Sequence, residues 1–171
     1  QITERAVELR RSTGNGAGLL GNLNTLAHLC WRLGRYDEAW SAASELLQQA
    51  SALGEPGFDL VRAHYSLALI CVARADYVQA ESHLQASLAT ADALGQADLV
   101  AAQKTLMGIL FTLQGKYEKA HRTLRPVVDA SRSDGNDLNA ARNLHNLGDL
   151  ALAQGEYPGA RAMLGRSLEI K

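Results

Sequence analysis

Cysteine and histidine are the residues of this chain whose side chains most readily bind metals or act in catalysis. The 171 residues include two cysteines and five histidines, widely spaced: Cys30, Cys71, His28, His64, His83, His121 and His145. The patterns that gather such groups, CxxC and HExxH for a metal and GxSxG for a nucleophile, are absent, as is the GxxxxGKS/T nucleotide loop. We therefore expect no enzymatic activity, no metal site and no cofactor.

Composition and charge argue against two classes of partner. Lys and Arg number 17 and Asp and Glu number 18, a net charge of -1, whereas a nucleic-acid surface needs a clustered basic excess. No apolar run is long enough to span a membrane, and no basic-then-apolar leader supports export. We expect a cytoplasmic protein that binds neither nucleic acid nor membranes through this segment.

The elements that must position any binding residues repeat along the chain. Tyr36, Tyr77, Tyr117 and Tyr157 are separated by 41, 40 and 40 residues, and an alanine follows each of them three positions later. Self-similarity at such a period indicates stacked supersecondary units rather than one closed globule.

Each period predicts two helices, A and B, joined by a tight turn. In the unit 96–135, apolar residues up to Leu113 recur at helical spacing over about 16–18 positions. A break that contains Gly115 follows, and helix B is expected from Tyr117 until Gly135. The fold is thus predicted to be all-α. We expect units at 1–14 (helix B of a partial repeat), 15–54, 55–95, 96–135 and 136–171, in a segment of a longer protein.

Small residues recur where the two helices of a unit must cross, because paired small residues let two helix axes approach closely. One aligned position of helix A holds Ala27, Ala68, Gly108 and Gly148. One aligned position of helix B holds Ala39, Ala80, Ala120 and Ala160. We expect these residues, with the four tyrosines, to serve packing.

The two cysteines also share an aligned position, in successive A helices. Neighbouring helix axes lie about 10 Å apart, so a disulfide between Cys30 and Cys71 is not expected. We predict two free, buried thiols, which favour a reducing compartment.

Together these features resemble tetratricopeptide repeats. The specific elements are the small residue midway along helix A, the Gly-x-Tyr-x-x-Ala turn and an apolar pair in helix B. The period of 40 is longer than the usual 34 and resembles that of kinesin light chains and large bacterial regulators. Ala75 replaces the turn glycine in the second unit. HEAT repeats have a similar period but lack this turn. The resemblance implies a right-handed solenoid of antiparallel helix pairs.

The resemblance also implies that the A helices line a concave binding face. Carried over position by position, the expected partner-binding residues are Asn24, His28, Trp31, Arg32, Arg62, Tyr65, Leu69, Thr105, Ile109, Arg142, His145 and Asp149, with Val72, Thr112 and Leu152 at matching positions. Such a mixed surface suits a peptide with apolar anchors and a carboxylate, which arginine can bind bidentately. Helix packing is the alternative for Trp31 and Tyr65, and a solvated face is the alternative for the arginines.

Trp40 is unusual because its aligned partners, Glu81, His121 and Arg161, are polar. An aromatic ring at such a position is expected to face solvent, the helix of residues 1–12 or a second subunit. The leading hypothesis is a non-catalytic protein- or peptide-binding module of a bacterial regulatory protein. The alternatives are a structural scaffold that forms a homodimer through Trp40 or the repeat ends, and an effector-sensing domain of a transcriptional regulator.

Overall fold

The computed structural model describes residues 5, 7, 8, 16–55, 57–133 and 135–170. These residues form α-helices without any strand, which confirms the predicted all-α class. The helices are α1 (Gly16–Arg32), α2 (Tyr36–Ala52), α3 (Phe58–Ala73), α4 (Tyr77–Ala93), α5 (Ala97–Leu113), α6 (Tyr117–Ser133), α7 (Asp137–Ala153) and α8 (Tyr157–Glu169). The predicted end of α5 at Leu113 and the start of α6 at Tyr117 are both confirmed.

The turns between helix A and helix B share one backbone geometry. Their central residues, Gly34, Ala75, Gly115 and Gly155, all have positive φ. In each turn the N–H of the following residue donates to the carbonyl five residues earlier, as Lys116 N does to Phe111 O at 2.8 Å. This is the Schellman helix end, for which glycine is favoured. Ala75, at a φ of 58°, is the one non-glycine residue with positive φ in the described part of the chain.

The chain forms two compact units, Gln1–Val100 and Ala101–Lys171. In the first unit, helices α1 to α3 bury a core of leucine, alanine and isoleucine, including Leu23, Leu46 and Ile70. In the second unit, Phe111 of α5 and aliphatic side chains of α6 and α7, including Leu124, form a separate core. Burial of these apolar faces against each other is what holds such amphipathic helices together.

The small residues of helix A lie at close helix crossings, as predicted. Ala27 and Ala68 are fully buried in the first unit. In the second unit, a Cβ on Gly108 would lie 2.4 Å from Cγ of Leu124. A Cβ on Gly148 would lie 2.7 Å from Cγ of Leu164. The later two repeats therefore pack a leucine of helix B onto the bare backbone of helix A.

The repeated tyrosines do not all pack alike. Tyr36 and Tyr117 are half-buried against the cores of the first and second units. Tyr157 is 70% exposed at the start of α8. The packing role expected of Tyr157 is therefore wrong within the described residues.

Several expectations concern residues outside the described ones. The partial repeat at 1–14 is described only at Arg5, Val7 and Glu8, which are helical. Pro56, in the link that precedes α3, lies outside as well. Cys30 and Cys71 are buried and are not joined in a disulfide, as predicted. None of the described helices is both long and apolar enough to cross a membrane.

Candidate functional site

A cleft lies between α5 and α7, the two A helices of the second unit. Its cavity has a volume of about 240 Å³. It is lined by Ile109, Thr112, Leu113, Asn146 and Asp149. Two predicted partner-binding residues, Ile109 and Asp149, thus lie on opposite walls, and Thr112 occupies a third predicted position.

Some polar groups of this cleft have a hydrogen-bond partner within the protein, and others do not. The Thr112 hydroxyl donates to the carbonyl of Gly108 at 3.0 Å, within its own helix. The Asn146 side chain is half-buried, and its Nδ2 atom is buried without a hydrogen-bond partner. The Asp149 carboxylate is exposed, one turn further along α7. The Asn146 amide and the Asp149 carboxylate therefore lie side by side along the cleft, since residues three apart on a helix share a face.

The apolar part of the cleft comes from α5. Ile109 is half-buried, and Leu113 is 51% exposed at the end of the helix. Both lie on the face of α5 that lines the cleft, because residues four apart lie above one another on a helix. An apolar group that entered the cleft would cover these side chains while polar groups met α7.

Thr105 has a different role from the one expected. Its hydroxyl lies 2.8 Å from Oδ1 of the buried Asn143 on α7 and 2.9 Å from the carbonyl of Ala101. One hydroxyl proton serves these two acceptors, so the hydroxyl is occupied by contacts within the protein. Thr105 therefore holds α5 and α7 together beside the cleft rather than lining it.

Charged residues of α7 border the cleft. Arg142 and His145 are exposed, and Nε2 of His145 lies 3.5 Å from Oδ2 of Asp149. Both partners carry a charge only when the His145 imidazole is protonated. Exposed ion pairs of this kind contribute at most about 1 kcal/mol to stability. Asp149 thus remains available to a donor from a ligand. Leu152, 45% exposed, continues this face toward the end of α7.

The predicted residues of the first unit lie on α1 and α3. The rings of His28 and Trp31 are in contact, with centroids 5.4 Å apart. Trp31 is also packed on the core, so packing accounts for part of this ring. Arg62 is exposed and lies 3.4 Å from Asp59 of its own helix. The remaining residues are half-buried, except for the exposed Arg32: Asn24, Tyr65, Leu69 and Val72.

Trp40 is half-buried rather than fully exposed. Its ring packs on the core of the first unit and meets the edge of the His83 ring, with centroids 6.2 Å apart. The Arg74 guanidinium carbon lies 5.8 Å from the centre of the Trp40 ring, within cation–π range. The expectation of a solvent-facing ring missed these contacts, which come from α4 and from the turn after α3.

Asn146 is the cleft residue that sequence reasoning missed. Its aligned positions in the earlier units hold Thr25, Ser66 and Leu106. Two of these three residues are polar, so the polar Asn146 follows the repeat pattern and the sequence held no signal that could have marked it. Leu113, one position beyond the carried-over set, was missed because the set ends at Thr112.

Comparisons with known proteins agree with this architecture. The tetratricopeptide repeat family model matches residues 18–93 and 99–171. BtubC (BKLC) from P. vanneervenii is similar in structure, with a TM-score of 0.77 and 21% identity over 96% of this chain and 76% of that protein. No curated protein sequence matches significantly.

Two further structures share the fold. A Rap protein complexed with Competence and Sporulation Factor has a TM-score of 0.79 and 16% identity. That match covers 95% of this chain and 51% of the Rap protein, so the chain spans about half of its length. A variant of a putative kinesin light chain from Podosopora anserina, with nearly identical TPR-like repeats, has a TM-score of 0.76 and 16% identity over 98% of this chain and 82% of that protein. The helical pairs, their turns and the family match lead to one conclusion: this chain belongs to the tetratricopeptide repeat family.

Proposed function

We propose that this chain is a non-catalytic module of a bacterial regulatory protein that binds a protein or peptide through the face of its A helices. The observation that carries the proposal is the cleft between α5 and α7, where the buried Nδ2 of Asn146 has no hydrogen-bond partner. A buried donor left without an acceptor costs about 1–3 kcal/mol. A ligand that brings an acceptor to this atom regains that free energy.

An extended peptide has the chemistry that complements the cleft. Each residue of such a peptide presents one N–H donor and one C=O acceptor on its backbone. Asn146 can donate to the carbonyl, and Asp149 can accept from an N–H. Ile109 and Leu113 then contact the side chain that lies between these two groups. Backbone groups would supply affinity, and the side chain would supply selectivity.

The size of the cavity favours a part of a longer ligand over a complete small molecule. Small-molecule sites usually enclose about 300–1,000 Å³. The cleft, at about 240 Å³, is smaller than this range. It can hold one amino-acid side chain, with the rest of the ligand extending along the A-helix face. The effector-sensing alternative therefore ranks second.

The charged residues around the cleft would add selectivity. Arg142 is exposed on α7 and can pair bidentately with a carboxylate of the partner. On the first unit, Arg32 and Arg62 are exposed in the same way, on the helices that carry Trp31 and Tyr65. A partner segment with alternating apolar and acidic residues would match either group of side chains.

Support for a regulatory role comes from one structural neighbour. The Rap protein, of the same fold, was solved in complex with Competence and Sporulation Factor. This chain spans about half of that protein, so we propose only the same kind of role, recognition of a factor by a helical repeat.

The test uses peptides selected on the 171-residue chain from a random phage-displayed library. The dissociation constant of a selected, fluorescently labelled peptide is measured by anisotropy for the parent chain and for Asn146→Leu and Asp149→Asn. Removal of the Asn146 donor should weaken binding about 5- to 150-fold, which corresponds to about 1–3 kcal/mol.

The matched control is Asp129→Asn, which removes an exposed carboxylate from helix B of the same unit, paired there with Arg125. We expect this variant to bind like the parent. Equal affinities of the parent, Asn146→Leu and Asp149→Asn for every selected peptide would refute the proposed site.

A further inference from the structure

Two histidine rings meet inside the first unit. Nδ1 of His64 on α3 and Nδ1 of His83 on α4 are 3.0 Å apart, with ring centroids at 5.3 Å. Both side chains are half-buried. The His83 ring also contacts the edge of Trp40 on α2. The pair therefore lies where helix A and helix B of one repeat meet helix B of the preceding repeat.

The distance between the two nitrogens defines their protonation. A neutral imidazole has one N–H donor and one acceptor nitrogen. At 3.0 Å, one Nδ1 carries a proton and donates it to the lone pair of the other. A single added proton leaves this bond intact, because the donor ring can take it on Nε2. A second added proton places N–H groups and positive charges face to face, and the bond is lost.

The surroundings do not favour charge on the two rings. Burial lowers the pKa of His64, and the nearby His83 lowers it further. Burial also lowers the pKa of His83. The elements packed around the pair carry these charged side chains: Asp37, Glu38 and Glu45 on α2, Asp59 and Arg62 on α3, Arg74 and Asp76 in the turn, and Glu81 and Asp92 on α4. Neither pKa is raised by any of their carboxylates.

The side chains around the pair indicate whether the two nitrogens bind a metal ion or a proton. In the described part of the chain, no third His, Cys, Asp or Glu joins the pair to complete a metal-ligand set. Arg74 is instead paired with Asp37, and the Asp76 carboxylate accepts from the backbone N–H of Gln79 at the start of α4. We therefore infer that Nδ1 of His64 and Nδ1 of His83 share a proton.

We propose that His64 and His83 form a pH-sensitive latch that holds α3 against α4 at neutral pH and opens when both imidazoles are protonated. The latch goes beyond the proposed cleft, because it lies in the first unit and involves none of the cleft residues. His64 is adjacent on α3 to Tyr65, a predicted partner-binding residue. Opening of the latch would therefore move part of the A-helix face of the first unit.

The direction of the pH effect follows from proton linkage. An unfolded histidine titrates near pH 6.5, and both folded pKa values are lower. The unfolded state thus binds more protons than the folded state as the pH falls below about 6.5. The stability contributed by the latch is complete above that pH and is lost as the pH falls through the folded values. The unfolding constant should rise up to about tenfold per pH unit for each histidine involved.

The experiment measures denaturant unfolding of the full chain between about pH 7.5 and 5, followed by Trp40 fluorescence in a Trp31→Phe background. The test variant carries His64→Gln and His83→Gln, since glutamine keeps a donor and an acceptor but does not titrate in this range. The control variant is His121→Gln, at an exposed position of α6. We expect the unfolding constant of the parent and of the control to rise with acid more than that of the double variant, by up to about tenfold per pH unit for each histidine. The same pH dependence in all three chains would overturn the latch.

A second measurement does not depend on the fold of the double variant. Titration of the imidazole ¹⁵N resonances in the parent chain should show two coupled rings that take up protons below about pH 6.5. The second uptake should coincide with a change in the Trp40 indole resonance. Two rings that titrate independently near pH 6.5, with no change at Trp40, would also overturn the proposal.

Discussion

The crossing of α5 and α6 allows a quantitative prediction for Gly108→Ala. A Cβ at this position would lie 2.4 Å from Cγ and 2.5 Å from Cδ2 of Leu124, closer than real Cβ atoms approach other atoms. Leu124 is fully buried and cannot swing into solvent. Overpacking of this kind typically costs about 1–3 kcal/mol. Alanine regains about 0.5–1 kcal/mol over glycine within a helix. The expected net loss therefore lies between about 0 and 2.5 kcal/mol, with a central value of about 1.3 kcal/mol.

Two other glycines of the second unit provide comparisons for the stability effect of Gly108→Ala. At Gly148 the nearest atoms of Leu164 are 2.7 Å from the added Cβ, and Leu164 is only half-buried, so Gly148→Ala should cost less. At Gly165 on α8 no atom lies within 4 Å, and Gly165→Ala should stabilise the chain by about 0.5–1 kcal/mol. The order of stability should thus be Gly165→Ala, parent, Gly148→Ala and Gly108→Ala.

Chemical denaturation followed by circular dichroism measures these differences as shifts of the midpoint. The double variant Gly108→Ala with Leu124→Ala is the control for mechanism. Its loss should be smaller than the sum of the two single losses, because removal of the leucine side chain relieves the overlap. A Gly108→Ala chain more stable than the parent, or strictly additive losses, would refute the close approach of α5 to Leu124.

Two further predictions concern local chemistry. Ala75→Gly should stabilise the chain by about 1 kcal/mol in thermal or denaturant unfolding, because Ala75 has a φ of 58°, where an L side chain is strained by about 1–2 kcal/mol. A lower stability of this variant would contradict that reasoning. Burial, with a contribution from Asp76, raises the pKa of the Cys71 thiol to about 11. The thiol should therefore react with iodoacetamide at neutral pH only after denaturation, and rapid labelling of the native chain at Cys71 would contradict its burial.

The helices and turns could be predicted from local pattern alone. The glycine at position 115 between two amphipathic stretches indicated the end of α5 and the start of α6, because that residue must adopt positive φ. The small residues at positions 27, 68, 108 and 148 indicated where helices cross, since only close axes require them. Each of these signals can be recognised within one segment of the sequence or from its repetition in every unit.

The side-chain pairs between helices could not be predicted in this way. Thr105 bonds Asn143, and His64 meets His83, because the rotation of each helix about its axis brings those atoms together. The repeat period constrains helix length but leaves this rotation to the packing of the whole unit. The same reason explains why Asn146 was missed as a lining residue of the cleft.

The central claim is that the cleft between α5 and α7 binds backbone groups of an extended peptide. The most direct measurement is a set of backbone and side-chain amide chemical shifts of the 171-residue chain during titration with a library-selected peptide. We predict that the largest changes occur at Ile109, Thr112, Leu113, Asn146 and Asp149, and that the Asn146 side-chain amide shifts as expected for a new hydrogen bond. Saturable binding that leaves these residues unchanged and shifts only the outer helices α6 and α8 would contradict the account.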